Sequence, residues 1–444
     1  MPSSIKLYLH NLGLINRKPL SFTLHKISLV VRFISSYHAD KLLLKALRLH
    51  ASSDCIKTLK NSTESLERSL DKLVSESGRL SSLSKRIIVL SWPSISDKGT
   101  TKGIILISFT TTFSLFYRDI KTEELTDFFE IILEPSSSGY ADPEILFWPF
   151  ICRKNIYIQA TEVEDRAFLE SISYNFIPLT IGASNWVNTD EFSFLNLKKE
   201  YDSVYVANSN PVKRVDRYLS AVANIINIVP EYRAALICAD WGLGREYIKA
   251  LIDRHGLNGK IDILFSLTKS DIIRYLNLSK VNVLLSLKEG SNRSLFEAMS
   301  CNTPVICIYE NIGVNKEYIN QHTGKLVYDK FLEDALLYMI RNYTRYKPRK
   351  WLIENISAEK STELLMSVIP NQSEIFVKIN NPEVSYKDYP LLKHSKYSQS
   401  LLHIFSAGQY DKASAREDII RLKSEFYSDL KSTYPEISGG EANQ

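Results

Sequence analysis

The sequence predicts an α/β protein of two consecutive domains, each built on a mostly parallel sheet, behind a basic helical extension at the N-terminus. Three observations carry that prediction. From Arg86 onward, short aliphatic runs alternate with polar loops at the spacing of βα units. The series is interrupted once, by the turn-rich stretch Gly182-Ala183-Ser184-Asn185-Trp186-Val187-Asn188, and then resumes. The first 80 residues have a different texture, in which basic and apolar positions mix at helical spacing.

The helical extension, residues 1–80, rests on Leu24–Ile34 and Lys41–Arg48, where Lys and Arg punctuate runs of Leu, Ile and Val. Such a basic amphipathic segment can lie on an anionic membrane surface. The first α/β domain, 81–190, is read from Ile87–Leu90, Gly103–Ile107, Phe129–Leu133, Ile156–Ile158 and Phe176–Ile181. The second, 191–365, is read from Ser203–Ala207, Ala234–Cys238, Ile261–Phe265, Val281–Leu285 and Pro304–Cys307. A tail, 366–444, alternates polar segments with a long helical pattern near Glu417–Tyr434 and crosses back to the first domain in this reading. Small-molecule sites favour the cleft between two such domains.

Bulk properties narrow the function. The chain of 444 residues is 44% hydrophobic and 24% charged, an ordinary globular composition, and its formal charge of +5 does not argue for nucleic acid as a partner. The charge is uneven: residues 1–60 hold ten Lys and Arg against two Asp, which leaves the remainder slightly negative. Cys55, Cys152, Cys238, Cys301 and Cys307 show no C-x-x-C spacing and read as buried thiols of a reducing compartment. The longest apolar candidate, Gly103–Phe116, is too short and too rich in Thr and Ser to span a bilayer. The expected location is cytoplasmic, with a peripheral seat at the inner face of the membrane through residues 1–60. His25 and His38, in the extension, are expected to be surface or packing residues.

Residues 286–306, SLKEGSNRSLFEAMSCNTPVI, say most about chemistry. Val281–Ser286 is a buried-strand run, and Leu295, Phe296, Ala298 and Met299 recur at helical spacing, so the order is strand, Gly-containing loop, helix. A helix N-terminus in that position presents unpaired N–H groups and the positive end of a dipole, which suit a phosphate. Glu289 stands at the carboxyl end of the strand and Glu297 inside the helix, so two carboxylates flank one phosphate-sized site. Gly242-Leu243-Gly244 superficially suggests a dinucleotide fingerprint but lacks the third glycine.

Several landmarks in order resemble the nucleotide-sugar-dependent glycosyltransferases of the two-domain GT-B fold, in particular the retaining family 4. The family's acid–glycine pair, second acid eight residues later and closing EAMACGTPVI-like string appear as EGSNRSLFEAMSCNTPVI. YDSVYVANSNPVKRVDRYLSA is similar to the family's opening strand, phosphate loop and helix, and LICADWGLGREYIKAL to its glycine-turned strand-to-helix step. The resemblance covers the second domain and is weak over residues 1–190. It implies two Rossmann-like domains facing a cleft, and a nucleotide-diphosphate sugar as co-substrate with no further cofactor.

By the same resemblance Glu289 faces the donor sugar and Lys213 pairs with the diphosphate, the two catalytic assignments. Gly290, Ser291 and Asn292 offer backbone N–H groups, Glu297 reaches the ribose, Phe265 to Leu267 meet the base, and Leu295 belongs to the same donor-binding segment. The family's usual arginine, five residues before the lysine, is replaced by Asn208; Arg214 or Arg293 could supply the missing cation. Asn302 stands where glycine is usual, at a helix end that tolerates Asn next best. The implied reaction is transfer of the sugar, with retention, to a hydroxyl of a glycan or lipid-linked glycan. The absence of an Asp-x-Asp triplet and a site of Lys, Arg and helix N-termini imply a metal-independent reaction, with no metal ligands to name. On the acceptor side the strand-end loops Asp97–Lys102, Glu134–Tyr140 and Glu162–Asp165 are candidates, with Glu134 and Tyr140 as the residues. The alternatives are a nucleotide-sugar epimerase, or a glycosyltransferase-like subunit that binds donor and turns over weakly, which the substitution at Asn208 would favour.

Overall fold

The computed structural model describes residues 17–50, 52–62, 65, 69, 72, 87–96, 99–110, 112–113, 122–136, 140–146, 148–370 and 412–433. Residues 1–16 and most of 63–80 of the expected extension, residues 81–86 of the first domain, parts of the loops 97–102 and 134–140, and residues 371–411 and 434–444 of the tail lie outside them. The chain divides into two compact units. One comprises Asn16–Thr180 with Thr362–Gln444, so the tail groups with the first α/β segment, and the other comprises Ile181–Ser361.

The first unit opens with the helices Arg17–Val31, Ser36–Leu49 and Ser53–Asn61. Its sheet runs β1-β4-β5-β6-β7, where β1 is Ile87–Ser91, β4 Gly103–Ser108, β5 Phe129–Glu134, β6 Ile156–Gln159 and β7 Phe176–Leu179. All pairs are parallel except β1 with β4. The exception has a steric cause. Only eleven residues, 92–102, join those strands, and they are occupied by a small hairpin of β2, Ser94–Ser96, and β3, Gly99–Thr101, which leaves no helix to make a parallel crossover. The helix expected near 417–434 is Lys412–Thr433, and its Ile419, Leu422 and Phe426 enter the same hydrophobic core as β1, β4 and β5.

The second unit is a six-stranded, wholly parallel sheet in the order β10-β9-β8-β11-β12-β13: β8 Tyr201–Ser209, β9 Ala234–Gly242, β10 Asp262–Phe265, β11 Ser279–Leu284, β12 Val305–Ile308 and β13 Gly324–Val327. Its central strands are buried on both faces, as the near-continuous Val, Ile and Leu runs require of a sheet covered by helices on each side. Sequence order reverses at β8, with β9 on one side and β11 on the other. In open α/β sheets ligands bind outside the carboxyl ends of strands at such a switch point. All five cysteines are buried free thiols. Among the described residues no helix is long and apolar enough to cross a membrane.

Candidate active site

At the carboxyl end of β8 the chain makes a tight, fully specified turn. A bulge between Asn208 and Ser209 ends the ladder with β9. Asn210 caps the following 3-10 turn, Pro211–Lys213, by accepting the Val212 N–H at 3.1 Å. Arg214 then takes a left-handed conformation (φ 55°, ψ 44°), from which the helix Val215–Ile226 starts. From below, the buried Tyr205 hydroxyl donates to the Lys213 carbonyl; burial and the negative charge of Glu289 both push that phenol far above its usual range, so it stays a donor.

The second glycine-rich segment clamps this turn from the side. Gly242 has φ +114°, and a Cβ there would lie 2.5 Å from the Asn210 nitrogen and 2.7 Å from the Ser209 carbonyl carbon. Ser209 Oγ accepts the Gly244 N–H at 2.8 Å and donates to the Trp241 carbonyl at 3.1 Å. The G-L-G pattern therefore serves close backbone packing around the Lys213 turn. Gly242→Ala combines a disfavoured φ with a backbone clash and is expected to destabilise the protein by about 2–3 kcal/mol in denaturant titration.

The acidic loop after β11 is held as firmly. Leu287 donates to the Val212 carbonyl at 3.2 Å, Glu289 to the Ile312 carbonyl at 2.8 Å, and Ile312 back to Leu287 at 3.0 Å. With its backbone fixed, the Glu289 carboxylate receives the Lys213 ammonium at 2.5 Å on Oε1, and the same oxygen accepts the Ser286 hydroxyl. The two residues assigned to catalysis are thus in direct contact, 76 positions apart in sequence. Asn292 caps the helix Arg293–Ser300 by accepting the Leu295 N–H at 3.0 Å. That helix ends as expected: Asn302 sits at φ 59°, its N–H bonds to Met299 and that of Thr303 to Ala298, the paired closure of a left-handed C-terminal cap.

Between the turn and this helix lies a cavity of about 530 Å³, lined by Phe192, Val206, Ala207, Asn208, Lys213, Ala239, Lys269, Ile272, Asn292, Arg293, Ser294 and Glu297. Three cations reach it, each with its own carboxylate: Lys213 with Glu289, Arg293 with Glu297 at 3.3 Å, and Lys269 with Glu191 at 2.7 Å. Arg293 Nε is buried and has no hydrogen-bond partner among the described residues. Burial raises the Glu297 carboxyl above its ordinary pKa, partly offset by Arg293 and Lys269, while Glu191 adds to the rise.

That shift has a stability consequence. A carboxyl whose folded pKa lies above its unfolded value binds its proton more tightly when folded, so its favourable contribution is present at low pH and is lost as pH rises through the folded pKa. At pH 7 ionised Glu297 is therefore a cost to the fold. Glu297→Gln is expected to raise stability at pH 7 and by less at pH 4, read from thermal melts at both values.

The remaining sequence assignments divide. Asn208, Asn292 and Arg293 line the cavity, and Gly290 and Ser291 border it in the chain, with Ser291 Oγ accepting the Ser184 N–H at 2.8 Å. Leu295 is a core residue of the helix. Phe265 ends β10 and Leu267 follows it, both outside the cavity lining; the Phe265 ring carries the Arg245 guanidinium at 4.9 Å, itself held bidentately by Asp240. Arg214 is also outside the lining. It is bonded to Asp329, which with Glu333 also binds Arg217 through contacts of 2.7–2.9 Å. Because a left-handed non-glycine residue costs about 1–2 kcal/mol, Arg214→Ala, which loses the ion pair and keeps the strain, is expected to destabilise more than Arg214→Gly. Paired denaturation curves of the two variants give that order.

In the first unit, Glu134 ends β5 and is buried. Tyr140 is a core residue: its hydroxyl donates to the Gln159 carbonyl at 2.6 Å and burial pushes its pKa well up, so it is committed to the fold. His25 is buried against Thr58 and His38 is exposed, as their expected packing and surface roles require. Lys269, Glu191, Ser286 and Tyr205 were invisible in the sequence. Lys269 and Glu191 meet across 78 positions with no motif to link them.

Residues 187–358 match the family model described as glycosyl transferases group 1. Among solved structures, the chain is similar to TarM of S. aureus, at 16% identity over 60% of this chain and 54% of that one, with a TM-score of 0.48. It is also similar to sucrose-phosphate synthase from Thermosynechococcus elongatus (18% identity, 60% and 72% covered, TM-score 0.47). A third is the C-terminal domain of a glycosyl transferase group 1 family protein, LpcC, from Francisella tularensis (20% identity, 42% and 100% covered, TM-score 0.31). The chain spans about half the length of TarM. No match is found among curated proteins. The matched residues, 187–358, supply every wall of the cavity.

Proposed function

We propose that this protein is a retaining glycosyltransferase that takes a sugar from a nucleoside diphosphate and passes it to a hydroxyl of a glycan or lipid-linked glycan. The observation that carries the reading is the Lys213–Glu289 contact beside a cavity whose other wall bears Arg293 and Glu297. Lys213 has two further N–H donors once Glu289 takes one, and these face a diphosphate; Arg293, with its free Nε, supplies the second cation in place of the arginine absent at Asn208. Arg214, committed to Asp329, is not needed for that role. Glu297 accepts the ribose hydroxyls, and Glu289, oriented by Ser286, accepts those of the sugar. Lys213 stabilises the charge that gathers on the leaving diphosphate as the anomeric bond breaks. Since side-chain cations meet the diphosphate, the transfer is read as metal-independent, and EDTA is expected to leave the rate unchanged. We also read residues 1–60 as the chain's peripheral seat on an anionic membrane.

Calorimetric titration of UDP, GDP and ADP into the purified chain tests the donor site. At least one should bind with micromolar affinity and weaken at least tenfold in Lys213→Met. Binding of none, or equal binding to both proteins, overturns the reading.

A further inference from the structure

The turn-rich stretch that precedes the second sheet is built into the site. Ala183–Trp186 is a 3-10 turn closed by a reciprocal cap, in which the Gly182 N–H donates to Asn185 Oδ1 at 3.0 Å and the Asn185 N–H donates to the Gly182 carbonyl at 3.0 Å. The Val187 N–H donates to the Ser184 carbonyl at 3.3 Å, and the Trp186 side chain is fully buried. Further along, Glu191 holds Lys269 at 2.7 Å and Phe192 lines the cavity. Arg349 Nη1 donates to the carbonyls of Thr189 and Phe192 at 3.0 and 3.1 Å. The backbone of Ser184 is therefore fixed by its own turn and by the anchored residues after it.

Ser184 bonds to Ser291 Oγ, in the loop after β11 and 107 positions away. Its N–H donates to that oxygen at 2.8 Å, and the two hydroxyl oxygens lie 2.6 Å apart. A serine hydroxyl has one hydrogen and two lone pairs, so the direction of this second bond decides what Ser291 can still do. Ser184 is 3% exposed, and its hydroxyl has no other partner among the described residues. If Ser291 were the donor, the Ser184 hydrogen would be buried without an acceptor, which carries the full desolvation cost of that group. Ser291 is only half-buried and adjoins Asn292, which lines the cavity. The less costly arrangement has Ser184 donating twice. Both lone pairs of Ser291 are then filled, and its own hydrogen is left over beside a cavity that already holds Lys213 and Arg293.

We propose that Ser184 is a positioning residue of the donor site: by filling the lone pairs of Ser291 it commits that hydroxyl to donate, and the acceptor is an oxygen of the bound diphosphate. The inference rests on the nucleotide-sugar reading above and deepens it, adding a neutral donor to the two cations. The test is calorimetric titration of whichever of UDP, GDP and ADP binds the full chain best into the parent, Ser291→Ala, Ser184→Ala and Ser184→Ala/Ser291→Ala, with thermal melts to check that each is folded. Ser291→Ala should weaken binding about tenfold, and Ser184→Ala, which leaves the Ser291 hydroxyl free to turn, about threefold. The double variant should bind like Ser291→Ala alone, because Ser184 acts through Ser291. A merely structural Ser184 would instead give effects that multiply, and that result overturns the proposal. Parent-like binding by Ser291→Ala overturns it too, whatever Ser184→Ala does. If Ser291→Ala binds the diphosphate normally but raises KM for the intact nucleotide sugar, the hydroxyl meets the sugar and the diphosphate assignment fails. If the parent binds none of the three nucleotides, the donor reading itself falls and this inference with it.

Discussion

Glu289→Gln should lower the rate of sugar transfer by about 100- to 1000-fold while leaving nucleoside diphosphate affinity the same or tighter. The asymmetry follows from the geometry. The carboxylate shares one oxygen between Lys213 and Ser286, so its charge both orients toward the sugar and restrains the ammonium that faces the diphosphate. A glutamine keeps the shape and an acceptor for Ser286, but it no longer holds the lysine, which is then free to give all its donors to phosphate. Loss of rate with unchanged or improved binding marks an interaction that matters in the transition state more than in the ground state. Near-normal turnover in this variant would contradict the assignment of Glu289. The fold should be indifferent, because the backbone of the loop is fixed by Val212 and Ile312 through main-chain bonds that the substitution does not touch.

Lys213→Met should reduce both quantities: transfer by at least 100-fold and diphosphate binding by tenfold or more. Here the lost group touches phosphate in the bound state and in the transition state alike. The variant also leaves Glu289 beside the cavity without its cation, so part of the loss is the cost of an uncompensated carboxylate. The double variant Lys213→Met/Glu289→Gln separates these terms. If the two residues act as a unit, its rate should be close to that of Lys213→Met alone, well short of the product of the single effects. Steady-state kinetics on the four proteins completes the cycle.

The sheets were largely legible because aliphatic runs of four to six residues between polar loops have few uses other than buried strands. Where the pattern was weak, elements went unread. β13 begins at Gly324 and carries Lys325, so Gly324–Val327 does not look like a strand, and only its pairing beside β12 makes it one. The direction of β1 depends on what the intervening segment can build, which periodicity does not report. Within the site, Glu289 and Glu297 were readable because a strand, a loop and a helix fix them locally within a dozen positions, whereas Asn292 came from resemblance. Lys213 came from resemblance, and the structure adds its contact. The other charges around the cavity were not readable, since Lys269 meets Glu191 only when the helix Lys269–Leu278 that follows β10 is folded against the start of the unit. Tyr140 shows the converse error: an aromatic hydroxyl in a strand-end loop looks available in sequence, yet its partner is a carbonyl of the neighbouring β6.

The central claim is that the cavity beside Lys213 and Glu289 activates a nucleotide-linked sugar. The most direct measurement is release of nucleoside diphosphate by the purified full chain incubated separately with UDP-, GDP- and ADP-linked hexoses, with water or an added glycan as acceptor, beside the Glu289→Gln protein. The account predicts release above background from at least one donor by the parent and its loss in the variant. Failure of every donor to be turned over, or equal release by both proteins, would contradict it.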